Sequence, residues 1–162
     1  MATVEVAFTP LPAHVRTARL VATAVARRSG VDEELLDEVR LAVGEACSRA
    51  VEAHRRHGLA EPVRIEMTDL GERFEVIVRD SVPSPSAANG AQLNGGWGSE
   101  ADPGGASAGS AGASTSPTAP VGFADPFSTA VISGLADDVR VSATGSGVSV
   151  RMTWPAALGA EA

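Results

Sequence analysis

The chain has 162 residues, 44% hydrophobic and 20% charged, enough for one core and too little for two comfortable ones. Its formal charge of −7 argues against a nucleic-acid partner, which needs a basic surface to neutralise phosphates. All 13 basic residues are Arg. Without Lys there is no G-x-x-x-x-G-K-[ST] phosphate loop, no Schiff-base amine and no S-x-x-K pair. The lone Cys47 excludes an intramolecular disulfide and any C-x-x-C motif, which fits a reducing compartment. Aromatics make up only 4%, with no Tyr, so a base-stacking platform is not expected. The N-terminus lacks the basic-then-apolar pattern of a signal peptide, and no apolar run approaches the roughly 18 residues of a membrane span. These features predict a soluble, cytoplasmic protein that uses no membrane.

Thr3 to Phe8 alternates polar and apolar residues and predicts a strand, ended by Pro10 and Pro12. Ala13 to Arg28 places Val15, Ala18, Val21, Ala22, Val25 and Ala26 at helical spacing, and Ser29-Gly30 stops that helix. Asp32 is a candidate N-cap for a long second helix running to about His57. Its apolar stripe includes Leu35, Val39, Val43, Ala46 and Ala50, with Gly58 as the stop. Val63–Thr68 and Phe74–Val78 predict two strands around a turn at Leu70-Gly71-Glu72. From 83 to 120, 29 of 38 residues are Gly, Ser, Ala or Pro, a composition that predicts a disordered loop. Pro126 then opens a short helix carrying Phe127, Ala130, Val131 and Leu135. Val139–Ala143 and Val148–Met152 predict a closing hairpin around Gly145-Ser146. The order β-α-α-β-β, loop, α-β-β predicts an α+β two-layer sandwich: a mostly antiparallel sheet with helices on one face. One domain over 1–156 is expected, interrupted by the 83–120 loop and followed by a tail at 157–162.

Candidate chemistry is sparse. Glu45 and Arg49 lie four apart on the long helix, the spacing of an ordinary surface ion pair; the functional alternative makes Glu45 a general base or metal-site carboxylate. His54 and His57 are three apart, but a metal site would normally add a third ligand. Arg55, Arg56 and His57 suit the negative end of a helix dipole. Cys47 reads as a small buried hydrophobe. Asp80 closes an apolar strand beside the long loop, as a ligand contact or as a turn-forming residue.

The run Val39-Arg-Leu-Ala-Val-Gly-Glu45-Ala46-Cys47-Ser48-Arg49-Ala50-Val51-Glu52-Ala53-His54 resembles one helix of the bacterial anti-sigma factor/serine kinase family. The family pattern there is roughly L-A-V-x-E-A-x-x-N-A-x-x-H. Its members share the Bergerat, histidine kinase-like ATPase fold. The Pro12–Gly30 helix resembles the family's first helix. Val76-Ile-Val-Arg-Asp80 resembles the strand leading into its D-x-G-x-G box. Val131–Val141 resembles its I-x-x-L-x-D-x-V segment, and Gly147–Met152 its closing hairpin.

The resemblance implies that Glu45 matches the glutamate that helps activate a substrate hydroxyl. It implies that Asp80 matches the aspartate receiving the adenine amino group. The family's Mg²⁺-binding asparagine is Arg49 here, and a guanidinium has no lone pair for a metal. The alternatives for Arg49 are direct contact with phosphate oxygens or a pair with Glu45. The D-x-G-x-G glycines are replaced in Asp80-Ser81-Val82-Pro83-Ser84, and the second glycine box, near Ala124–Phe127, has none. The lid is replaced by the Gly/Ser/Ala loop. The expectation is an anti-sigma-like regulator in a partner-switching circuit. It would bind a sigma factor and/or an anti-anti-sigma (STAS) antagonist, with impaired or lost ATP binding. ATP and Mg²⁺ enter only if the altered site still holds them, no residue is assigned to metal, and a homodimer is an expectation from the family. The alternative is an active ATP-dependent serine kinase acting on an anti-anti-sigma factor. Impaired binding makes the chain a pseudokinase.

Overall fold

A computed structural model describes residues 1–83 and 126–157. The sequence expectations for the segment from 84 to 125, including the disordered loop, the replaced lid and most of the second glycine box, lie outside the described residues, as does the tail from 158. The elements in chain order are β1 (Ala2–Phe8), α1 (Pro12–Arg28), a 3₁₀ turn (Glu33–Leu35), α2 (Leu36–Arg56), β2 (Val63–Asp69), β3 (Arg73–Arg79), α3 (Pro126–Leu135), β4 (Asp138–Thr144) and β5 (Gly147–Pro155). The five strands form one sheet in the order β1-β2-β3-β5-β4, every neighbouring pair antiparallel. The α+β architecture expected from the sequence is therefore the one observed.

The core follows from period-two alternation meeting helical stripes. Val63, Ile65 and Met67 of β2, Phe74, Val76 and Val78 of β3, and Val150, Met152 and Trp154 of β5 are all buried on one face. Against them lies the stripe of α2, with Val39, Val43, Ala46 and Ala50 fully buried. Helix α1 contributes Ala18, Ala22 and Ala26, small residues whose lack of bulk lets it pack closely on α2. Each fully buried large side chain contributes about 1.5–3 kcal/mol of apolar transfer, so these three strands and α2 carry most of the stability.

Both long helices end in a Schellman motif. At α1, Val31 N–H reaches Ala26 O and Gly30 N–H reaches Arg27 O; at α2, Leu59 N–H reaches His54 O and Gly58 N–H reaches Arg55 O. Asp32 does accept a backbone bond, from Glu34 N–H at 3.0 Å, but it caps the short 3₁₀ turn and α2 starts only at Leu36. In α3 the buried apolar residue among those described is Ile132, while Ala130, expected on the apolar stripe, is exposed. Trp154 anchors that helix by donating from Nε1 to Leu135 O at 2.8 Å.

One glycine is dictated by space. Gly147 opens β5 at φ +148°, and a Cβ there would lie 1.9 Å from Asp80 O. Gly147→Ala is expected to lower stability by about 2 kcal/mol or more. Gly58→Ala, at φ +63° but with open space around it, should lose only about 1 kcal/mol. Urea denaturation with unchanged slopes checks both, and equal losses would mean that the Asp80 approach does not matter.

Candidate functional site

Helix α2 presents a line of polar residues toward the end of β3. Asp80 follows β3 immediately, and its backbone N–H still pairs with Val148 O across β5, at 2.9 Å. Its side chain turns inward and is fully buried. Oδ1 accepts from Val82 N–H at 3.0 Å and from Val148 N–H at 3.1 Å. Oδ2 receives Nη2 of Arg49 at 2.5 Å, and the Arg49 side chain is only 8% exposed. The ion pair of Arg49 is thus a buried one, 31 residues away in sequence, in place of the solvated pairing with Glu45 that helical spacing suggested. Both carboxylate oxygens are engaged by donors from within the chain.

Glu45, one turn earlier on the same face, accepts a hydrogen bond at Oε1 from the hydroxyl of Ser128. Ser128 is buried near the start of α3. This contact brings α3 onto α2 through a polar link, beside the apolar contact made by Ile132. The three residues singled out from the sequence therefore occupy one face of α2 and the strand end it covers. Arg49 and Asp80 touch; Glu45 is bound to a partner no sequence motif indicated.

His54, further along α2, is fully buried. Its Nδ1 lies 2.9 Å from Glu61 O, and its Nε2 lies 2.9 Å from Ser81 N. Because Ser81 N–H can only donate, Nε2 must accept, and the proton sits on Nδ1, where it is donated to the carbonyl. The ring thereby clamps the residue after Asp80. His57, by contrast, is exposed and its Nδ1 bonds Ala53 O of its own helix. Among the described residues, no three His, Cys, Asp or Glu side chains gather as a metal cluster.

Two arginines also approach Cys47. Arg19 of α1 lies over Gly44, where a Cβ would come within 2.0 Å of its Nε. Burial pushes the Cys47 thiol up to about 12, and this outweighs the opposing pull of Arg19 and Arg49. Sequence reasoning named Asp80, Arg49 and Glu45 but missed Ser128 and the clamp by His54. The second could have been suspected from the histidine that closes the helix pattern.

Two measurements test this geometry. Arg49→Leu strands a buried carboxylate and should cost about 3–5 kcal/mol. Adding Asp80→Asn, which keeps an acceptor for Val82 and Val148, should recover part of that loss in urea denaturation; additive losses would show that the pair is uncoupled. Separately, Cys47 should resist a thiol-specific reagent at pH 8 in the native protein and react fully in urea. A thiol raised in the folded state is retained as a stabilising neutral group below its ordinary value of 9.0. That contribution should fade as pH climbs from there toward about 12, because only the unfolded thiol ionises freely.

Comparisons with known proteins agree with this architecture. A family model described as the histidine kinase-like ATPase domain matches residues 8–112. Among solved structures, the fold is similar to "The crystal structure of the RsbU and RsbW domains of Rv1364c from Mycobacterium tuberculosis". The TM-score is 0.59 at 14% identity, covering 97% of this chain and 34% of that one. At that identity the likeness is one of fold, and the chain spans about a third of the length of that neighbour. No curated protein matches the chain.

Proposed function

The chain belongs to the family of histidine kinase-like ATPase domains, and from that premise we propose that it is a binding regulator of the anti-sigma kind, with nucleotide binding impaired or lost. Its partners in this reading are a sigma factor and/or an anti-anti-sigma (STAS) antagonist, met in the cytoplasm. It belongs to a partner-switching circuit, in which each binder withholds the chain from the other by mass action. The resemblance of the α2 sequence to the anti-sigma factor/serine kinase family supports the partner class. A solved neighbour that carries an RsbW domain is in keeping with it.

The observation that carries the loss of nucleotide binding is the buried Arg49–Asp80 pair. The carboxylate that would receive an adenine amino group already takes three donors from its own chain. The residue that would hold Mg²⁺ is a cation without a lone pair. Val82, at a position where the family has a backbone-exposing glycine, is buried and fills space. Mg–ATP does not fit these residues. The second reading, an active serine kinase, draws on Glu45 and Asp80, the two carboxylates that the family's chemistry would use.

Calorimetric titration with ATP and ADP, with and without Mg²⁺, separates the two. The expected outcome is no saturable heat and no shift in melting temperature up to millimolar nucleotide, with micromolar or tighter binding to a purified sigma factor or STAS protein of the same cell. Micromolar, Mg²⁺-dependent ATP binding followed by phosphate transfer to a STAS serine would overturn the first reading and establish the second.

A further inference from the structure

The face of the sheet turned away from the helices carries a separate polar concavity. Alternation places Arg64 of β2 and Arg79 of β3 opposite to the buried Ile65 and Val78. Register then lines up four residues across four strands: Arg64 with Arg79, Arg79 with Ser149, and Ser149 with Ser142. A cavity of about 360 Å³ opens at this end of the sheet, lined also by Ser81, Thr144 and Ser146.

Three observations give the cavity a chemical preference. The first is charge. Among the described lining residues the carboxylate is Asp80, whose side chain is fully buried and paired with Arg49, and the exposed charged groups are the guanidiniums of Arg64 and Arg79, each bonded to one neighbouring carboxylate. The second is register. Two like charges directly opposite on neighbouring strands repel. Glu5 and Glu66 each offset one of them, Glu5 Oε1 with Arg64 Nη1 at 3.2 Å and Glu66 Oε2 with Arg79 Nη2 at 2.8 Å. These bonds hold both side chains in place while using one donor nitrogen of each five-proton fork. The third is the hydroxyl wall. Ser142 and Ser149 face each other, and Thr144 is held by Ser146 and by Gly147 O at the hairpin. Fixed forks beside neutral hydroxyls match a tetrahedral oxyanion with several acceptor oxygens. The volume exceeds what the anion alone would fill and lies in the range of small-molecule sites.

We propose that this cavity binds the phosphate monoester of a small organic molecule, with Arg64 and Arg79 on the phosphate and the serines of the β4–β5 hairpin around it. The row from Arg64 to Ser142 lies on the face of the sheet opposite α2, and its binding is measured without any protein partner.

The test uses the full chain with O-phosphoserine as probe, and inorganic phosphate and serine as comparisons, followed by calorimetry and by amide shifts in two-dimensional NMR. Saturable binding of O-phosphoserine is expected, with shifts at Arg79, Ser142, Thr144 and Ser149, weaker binding of inorganic phosphate and none of serine. Arg79→Gln and Arg64→Gln should each weaken binding by about tenfold or more, as loss of a charge-assisted contact does. Arg140→Gln, which alters an exposed arginine of β4 bonded to Asp138, should leave it unchanged. Melting temperatures of the three variants verify that each is folded. Equal affinity across wild type and all three variants, shifts confined to other surfaces, or absence of saturation would overturn the proposal. Inorganic phosphate binding as tightly as O-phosphoserine would overturn the part that assigns an organic substituent.

Discussion

The buried contact between Arg49 and Asp80 is the constraint on which the working end of the molecule depends. An ion pair taken out of water must recover the desolvation of both charges, and does so only when the remaining hydrogen-bonding capacity is met. Here the carboxylate is met by two backbone N–H groups as well as the guanidinium. Those backbone groups belong to the segment after β3 and to the start of β5, while the guanidinium belongs to α2. One carboxylate therefore ties the helix layer to two strands. The tight seat of Gly147 against Asp80 O follows from the same arrangement, since β5 must come this close for Val148 N–H to reach the carboxylate.

The neighbouring polar groups obey the same economy. Glu45 is bonded to Ser128, and His54 is bonded at both ring nitrogens. In the low-dielectric layer between helices and sheet, each of these groups would be costly if left alone. A ligand entering from the helix side would compete with these internal partners. On the open face of the sheet the balance differs. There Arg64 and Arg79 meet partly exposed carboxylates, and donors remain to be shared.

Local patterning made most of the architecture legible. The alternation in Val63–Thr68 and Phe74–Val78, the alanine stripe of α1, and the stops at Gly30 and Gly58 each depend on neighbours in sequence, and all reappear in the structure. Errors sat where a boundary depends on packing: Asp32 capping a 3₁₀ turn, or Ile132 displacing Ala130 on the buried side of α3. The candidate site was named in its residues but not in its contacts. Helical spacing offers Arg49 a partner four residues away, yet the bond runs to Asp80, brought near only by tertiary packing. Ser128 is 83 residues from Glu45, and no local rule connects them. The row from Arg64 to Ser142 is likewise invisible until the strand register is known.

The strand order has a consequence for how the molecule comes into being. The strand farthest along the described chain, β5, is not at the edge of the sheet; it lies between β3 and β4. Val76 waits for Met152, and Arg73 for Pro155. During synthesis the first three strands and both long helices leave the ribosome with one side of β3 unpaired and its apolar face only partly covered. Pairings of such sequence separation raise contact order and slow folding. An unsatisfied strand edge is also the template on which a second chain can add wrongly. The nascent protein therefore passes through a window in which its central strand has an open edge, and that window closes only when residues 147–155 arrive.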